Sequence, residues 1–417
     1  MRVLVLGAGV IGVTTAYYLA QNGHEVTVLD RQPGAGLEAS FANGGNVCPG
    51  YAGPWAAPGM RSKALRWMLQ QHAPLKLNLR ADAALFAWMV RWLRECHPER
   101  FRLNKTRMQH LSYYSLRCLH GLRRELGLEY ERTSDGLLEL LRTAEEVDAV
   151  RSHLPVLEAQ GIPHRLVDPR GCTTLEPALE HARVPFAGGL HLPGDETGDC
   201  HLFTQALAEH ASARGVRFRF ETTAEDLRVE GGRVVAVGTS AGILTADRVV
   251  VALGHESAQL LAPVGIRVPI QPVKGYSVTL PITASDHAPR ASVMDEHTKI
   301  AITRLGNRIR AAGTAELGAR DLDTPPERFE TLLDTLRALF PEAVDESRAH
   351  FWAGMRPMTP DGPPILGATP VANLFLNIGH GSQGWSMACG SARVVAQLVS
   401  GADPGLDIEG LTLERYH

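Results

Sequence analysis

Net charge is nearly missing from this 417-residue chain: 42 lysines and arginines face 45 aspartates and glutamates, a formal balance of −3. A surface this close to neutral offers no global attraction for nucleic acid and leaves only local basic stretches to consider. Cysteine is scarce and scattered. Its six positions, Cys48, Cys96, Cys118, Cys172, Cys200 and Cys389, form no CxxC pair and stand at no zinc-site spacing, so neither a disulfide framework nor a metal site is expected. Scattered thiols in a chain of this size suit a reducing compartment, with the cytoplasm as the default. Long unbroken apolar runs are lacking too. One stretch, Val3 to Gly23, carries no charged side chain, but Gly7, Gly9, Gly12 and Gly23 interrupt it. A strand, a tight turn and a helix account for it better than a membrane span or a signal-peptide core.

What is present is the composition of a soluble globular protein, 44% hydrophobic and 21% charged, long enough for two domains. Arg2 to Leu6 reads as a parallel strand buried on both faces. Gly7-Ala8-Gly9-Val10-Ile11-Gly12 follows directly. Gly7 serves the tight turn, Gly9 the close approach of a pyrophosphate, and Gly12 the packing of helix on strand. The backbone N–H groups at Val10 and Ile11 open a helix that runs to about Gln21 and caps at Asn22-Gly23. A second strand, Glu25 to Leu29, ends on Asp30, placed to accept the ribose hydroxyls of an adenosine half. Asp30 argues against a 2′-phosphate, although Arg31 beside it leaves that question open. Strand, glycines, helix and terminal acid together specify a dinucleotide without separating NAD from FAD.

Three further segments bear on that choice: the small-residue loop Ser40-Phe41-Ala42-Asn43-Gly44-Gly45-Asn46, the apolar strand Arg248 to Gly254 with Ala224-Glu225-Asp226-Leu227 upstream, and the C-terminal Gly379-His380-Gly381-Ser382-Gln383-Gly384-Trp385. These resemble the FAD-dependent amine and amino-acid oxidoreductases that include glycine oxidase, sarcosine oxidase and the bacterial D-amino acid dehydrogenases. PGYAGPWAAPG from Pro49, DETGDC from Asp195, VKGYS from Val273, KIAITR from Lys299 and RPMTPDG from Arg356 extend the resemblance to the last of these over nearly the whole chain. The resemblance implies that FAD is the cofactor. It places Ser40, Asn43, Gly44, Gly45 and Asn46 along the pyrophosphate and flavin, Ala224 at the adenine, and Gly254 close to the cofactor. It also sets Gly379, Gly381, Ser382, Gln383 and Gly384 at the flavin edge that gains negative charge on reduction. Where the family has a tyrosine before the lysine of KIAIT, this chain has Thr298.

The activity so implied is oxidative deamination of a D-amino acid: hydride passes from Cα to FAD, and the imino acid hydrolyses to a 2-oxo acid and ammonia. The D configuration rests wholly on the resemblance. Such chemistry asks the protein chiefly for positioning, and a guanidinium that forks onto the substrate carboxylate is the natural anchor. Arg356 is the leading candidate for it. Tyr276, on a strand expected to face the flavin, is a candidate to close over substrate. Lys274, His297 and His380 are weaker ones, a histidine being able to take the substrate ammonium's proton. The electrons are expected to pass to a respiratory quinone or another acceptor. Rival readings are a D-proline or hydroxy-D-proline dehydrogenase, an oxygen-using amine oxidase, and a catalytically silent nucleotide-binding module.

Arg61 to Arg107 forms the local basic stretch, with eleven lysines or arginines against three acids. Leu85, Trp88, Met89 and Trp92 recur at helical spacing within it. Either the stripe packs on the substrate domain, or the segment lies on an anionic membrane at the cytoplasmic face of the inner membrane. The expected fold is α/β plus β: a discontinuous Rossmann-type FAD domain from residues 1–60, 195–262 and 350–417, with an inserted mixed-sheet substrate domain from 61–194 and 263–349 that includes a helical segment, 61–125.

Overall fold

A computed structural model of the chain describes residues 1–60, 75–78 and 82–416. Strands Arg2–Leu6 and Glu25–Leu29 pair in parallel, with Arg2 opposite Glu25 and Leu6 opposite Leu29, and helix Val10–Gln21 crosses between them. They form the centre of a six-stranded sheet in the order Ile365–Ala368, Leu374–Ile378, Arg248–Val251, Arg2–Leu6, Glu25–Leu29, Arg217–Arg219. All neighbours are parallel except the pair Ile365–Ala368 and Leu374–Ile378. The apolar run of the first strand serves both faces. Val3 and Val5 point into a core shared with helices Val10–Gln21, Cys200–Ala213 and Gly384–Ser400, while Leu4 and Leu6 point into one roofed by a three-stranded sheet that begins at Ala224–Glu230. Alternation along a parallel strand thus requires apolar residues at every position. The carboxyl ends of these strands face one way, which is where open parallel sheets receive ligands.

A nine-stranded mixed sheet forms the second layer. Its order is His350–Met358, Gln271–Pro281, Arg308–Leu317, Ile300–Leu305, Ser292–Asp295, Leu137–Leu141, Gly188–Leu192, Arg165–Val167, with Leu75–Leu77 added to Arg308–Leu317. One face is covered by helix Glu330–Leu339, whose Leu332, Leu336 and Leu339 meet Tyr276, Val278, Ile302 and Ala311. The other face looks towards the nucleotide sheet's loops.

Several sequence expectations need correcting. Strand His350–Met358 belongs to the large sheet, not with the cofactor part. The long helix Pro98–Leu126 packs Met108, Leu111, Leu116, Leu119 and Leu122 into the nucleotide-side core with Met387, Cys389 and Ala392, so it does not go with the substrate sheet. Leu75–Leu77 is a strand inside the stretch expected to be helical, and the strand expected to reach Gly254 ends at Val251. The tryptophan stripe lies on helix Ala83–Glu95, whose N-cap Asp82 accepts from the N–H groups of Ala84 and Leu85. Leu85 and Trp88 are buried against Val273, Ala315, Leu317 and Met358, and the Trp88 indole donates to the Met358 carbonyl at 3.0 Å. That stripe is therefore core and cannot be the face a membrane would meet. Arg61, Lys63, Arg66, Trp67 and Arg80 lie outside the described residues.

Candidate active site

Between the two sheets runs a cavity of about 1210 Å³, larger than most small-molecule pockets. One end is built from backbone. Gly7 turns at a φ of +106°, and a side chain there would meet the Ala252 carbonyl at 2.5 Å. A Cβ on Gly12 would lie 1.9 Å from the Gly7 carbonyl, so only glycine lets the helix seat on the turn. Gly9, Val10 and Ile11 line the cavity at the start of a helix with no acid in its first turn. That uncompensated positive end favours an anion. The Ser40 hydroxyl accepts from the Val10 N–H at 3.0 Å, tying the second loop to the helix start.

Asp30 also lines this end. Its Oδ2 accepts from Ala8 N at 2.6 Å and its Oδ1 from Gln32 N at 2.8 Å, while burial raises its pKa. Arg31 is held by two carboxylates, Glu38 at 2.6 Å and Glu256 at closer range. Arg31 lines the cavity as well, and a guanidinium engaged by two carboxylates is drawn away from a 2′-phosphate. Glu38 escaped the sequence reading because nothing in its loop announces a partner for Arg31. Thr222, Thr223 and Ala224 border the same region, as does Gly254.

The loop Ser40 to Cys48 crosses the cavity floor, and the large sheet holds it in place. Ser277 Oγ donates to the Ala42 carbonyl at 2.7 Å, Arg310 Nη1 to the Asn43 carbonyl at 3.1 Å, and Asn43 Oδ1 accepts from Gly45 N at 3.0 Å. Cys48 N donates to Ser386 Oγ at 3.0 Å, which links the loop to helix Gly384–Ser400. Gly44, Gly45, Asn46, Gly379, Gly381, Ser382, Gln383 and Gly384 all line the cavity. The chain therefore presents a helix start at each of two points along one trough, with a carboxylate at the nucleoside end. This arrangement fits a dinucleotide. Among the described residues no group of histidine, cysteine or carboxylate side chains could hold a metal.

The other end is built from side chains. Arg356 pairs in register with Val273, and its guanidinium lies across Gly275, where a Cβ would be 2.1 Å from Nη1. It donates to the carbonyls of Thr314 at 3.2 Å and Gly313 at 3.4 Å, and sits 5.7 Å from the centre of the Trp55 ring. No carboxylate pairs with it among the described residues. Surrounding protein lowers its pKa to about 10, leaving it cationic at neutral pH with one side open to the cavity. A nearly buried cation with only carbonyls for company is poised for an anionic ligand. Trp55 escaped the sequence reading as a named residue. Its indole donates to Ser382 Oγ at 3.1 Å, bridging the two ends.

Four catalytic expectations do not fit this geometry. Tyr276 borders the cavity and Lys274 does not, but Tyr276 pairs with Ala353 and Lys274 with Met355, so alternation turns both side chains to the sheet face opposite Arg356. There the Tyr276 hydroxyl donates to Glu316 Oε2 at 2.9 Å, its ring meets Phe329 edge-on, and Lys274 Nζ binds Asp321 at 2.8 Å. His380 reaches the cavity wall, but its Nε2 is 2.9 Å from Ser391 Oγ and burial pushes its pKa down to about 3. A ring that stays neutral and hydrogen-bonded cannot serve as the substrate's base near neutrality. His297 is exposed at the surface, 2.9 Å from Glu146. Thr298 donates to Asp295 and does not line the cavity.

Residues 2–398 match the model of the family described as FAD dependent oxidoreductase. The chain is 51% identical over 416 residues to a D-amino acid dehydrogenase of Bradyrhizobium diazoefficiens, covering 100% of this chain and 99% of the relative. It is 54% identical to one of Cereibacter sphaeroides, covering 100% and 95%. Among solved structures it is similar to glycine oxidase from Geobacillus kaustophilus, with a TM-score of 0.76, 24% identity, and 99% and 98% of the two chains covered. It is likewise similar to L-proline dehydrogenase from P. horikoshii, with a TM-score of 0.76, 20% identity, and coverage of 100% and 97%.

Proposed function

The chain belongs to the FAD dependent oxidoreductase family, and from that premise we propose that it is a dehydrogenase converting D-amino acids to 2-oxo acids and ammonia. When bound, FAD supplies the two-electron acceptor for the hydride leaving Cα. The observation that carries the proposal is Arg356: a cation on the cavity wall with no carboxylate paired to it among the described residues, in a chain half identical to D-amino acid dehydrogenases. Its two Nη groups match a carboxylate fork, and fixing that fork also fixes where Cα sits. The cofactor would be held by the backbone at Gly9 to Ile11 and Gly379 to Gly384, and by Asp30 at the nucleoside end. We assign these three together with the loop Ser40 to Asn46.

Anaerobic titration of the flavin-loaded protein with paired D- and L-amino acids tests this. Bleaching of the flavin bands by D isomers alone is the expected result, and bleaching by L isomers or by neither overturns it. Peroxide formation in air at the rate of dye reduction would move the protein to the oxidase reading.

For the electron acceptor we propose a quinone reached at a membrane surface. Helix Ala83–Glu95 buries its tryptophan stripe but leaves Phe86, Val90 and Leu93 outward, with Leu103 exposed on the next helix. Arg91, Arg94, Arg100 and Arg102 lie among them in sequence, an apolar and cationic combination suited to anionic lipid. No helix among the described residues is long and apolar enough to cross a membrane. Flotation with anionic vesicles, lost in a Phe86→Asp, Leu93→Asp variant that keeps dye reduction, is the expected outcome. Retained flotation would refute the assignment to this face.

A further inference from the structure

Past Arg356 the cavity continues to a third region, where Leu154, Leu157, Leu190 and Met294 give way to the charged side chains of Lys105, Glu139, Glu296 and Lys299. The sheet register shows that this region and Arg356 share a face. Glu139 pairs with Met294, Met294 with Ala301, Ala301 with Ala312, Ala312 with Ser277 and Ser277 with Trp352. Trp352 lies four residues before Arg356 on the same strand, so both project to the same side.

The four charges do not cancel evenly. Lys299 forms an ion pair with Glu296. The other oxygen of Glu296 is buried without a donor, and Glu139 is its neighbour. A proton held between these two carboxyls satisfies that oxygen, in keeping with burial and the Glu296 charge raising the Glu139 pKa well above the usual carboxylate range. With that proton shared, Lys299 balances Glu296 and Lys105 keeps no ion-pair partner of its own; burial lowers its pKa, and the neighbouring Glu139 carboxyl works the other way. The Lys105 stem lies along Gly53, its Nζ is 5.9 Å from the Phe101 ring centre, and no carboxylate comes within ion-pair distance among the described residues. None of residues 61–74 or 79–81 is acidic. The sequence had placed Lys105 in the basic stretch offered to a membrane, whereas it lines the cavity.

We propose that Lys105 is a specificity residue for the substrate side chain, donating to an oxygen acceptor, carboxylate or carboxamide, at the end of a D-amino acid whose α-carboxylate is held by Arg356. This rests on the D-amino acid reading above. The apolar walls accommodate the methylenes, and the ammonium meets the terminal oxygen. A site built to hydrogen-bond a substrate group discriminates strongly against the analogue that lacks it, because the buried donor is otherwise left unpaired.

The test compares kcat/KM of the flavin-loaded enzyme for D-glutamate, D-glutamine, D-methionine, D-lysine and D-alanine with an artificial dye as acceptor. The better of the two oxygen-bearing substrates should exceed D-methionine by about tenfold or more. In Lys105→Met that ratio should fall to near unity while kcat/KM for D-methionine and D-alanine stays within about threefold, and Glu139→Gln should leave the ratio nearly intact. Three results overturn the proposal: a wild-type ratio near unity, a ratio unchanged in Lys105→Met, or a wild-type preference for D-lysine that Glu139→Gln abolishes. Failure of D-alanine and every other D-amino acid to reduce the wild-type flavin would instead bring down the functional reading itself. Reduction by D-alanine with no effect of Lys105→Met on selectivity removes only the present inference.

Discussion

The two ends of the cavity are made of different material. The end assigned to the nucleotide is lined chiefly by short contiguous glycine-rich segments, Gly7 to Ile11 and Gly379 to Gly384, with the Asp30 carboxylate beside them. At the substrate end the ligand-facing groups are long side chains, Arg356 and Lys105, brought together from strands and helices far apart in sequence. A backbone site tolerates almost no added atom, because its groups cannot move aside. A side-chain site tolerates changes of shape but depends on individual charges.

The largest effect that this contrast predicts is at Gly12. A valine there would force side-chain atoms into the Gly7 carbonyl, since even a Cβ would lie 1.9 Å from it. Gly12→Val should purify without visible flavin bands and fail to take up added FAD. A variant that retained flavin would break the claim that this end is fixed by backbone contact. Next comes Arg356→Met. Removing one partner of a buried charge pair costs about 2 to 5 kcal/mol, or about 30- to 4000-fold in kcat/KM, with flavin retained. Resistance to heat should not fall alongside activity, because the substrate-free protein loses an unpaired buried cation. A variant that loses activity and flavin together would show that the two ends are not separable.

The same contrast explains what could be read from the sequence. The first βαβ unit was legible nearly to the residue, since helix Val10–Gln21 and strand Glu25–Leu29 follow from local glycine spacing and alternation. The glycine-rich C-terminal turn was legible for the same reason. Arg356 was singled out through its resemblance to a known segment, and the structure sets it on the cavity wall. Glu139, Glu296 and Lys105 carry no local signal, because their meeting depends on the register of a nine-stranded sheet. Tyr276 and Lys274 were misplaced because a strand's period of two fixes which residues share a face but not which face meets the ligand. Helix Pro98–Leu126 went to the wrong core because its apolar stripe specifies burial and not the partner.

Asp195 lies outside the cavity lining and ties down the loop that carries Tyr51 and Trp55. It is buried, its Oδ1 accepts from Gly50 N at 2.9 Å, its Oδ2 has no donor, and burial raises its pKa to about 7. The folded protein therefore keeps a proton on Asp195 that the unfolded chain loses near the ordinary aspartate pKa. Stability from this group is present below pH about 4 and is lost as pH rises towards 7, at up to about 1.4 kcal/mol per pH unit. Asp195→Asn cannot ionise, so denaturant unfolding should show its advantage over the wild type growing from pH 5 to 7 and levelling off above. A constant difference between the two proteins would mean that Asp195 does not titrate in this window.

The smallest effect is expected at Tyr276, where it bears most directly on the contrast. Its hydroxyl lies on the helix-covered face, donating to a Glu316 carboxylate that Arg328 and Asn78 also bind. Tyr276→Phe removes one of three partners from that carboxylate and should cost about 1 kcal/mol of unfolding free energy. Tyr276 borders the cavity, but the hydroxyl that is removed points to Glu316, so kcat/KM should stay within about threefold, well below the loss from Arg356→Met. A large fall in kcat with unchanged stability would mean that this tyrosine turns towards substrate during turnover. The substrate end would then include a group that its resting geometry directs into the opposite core.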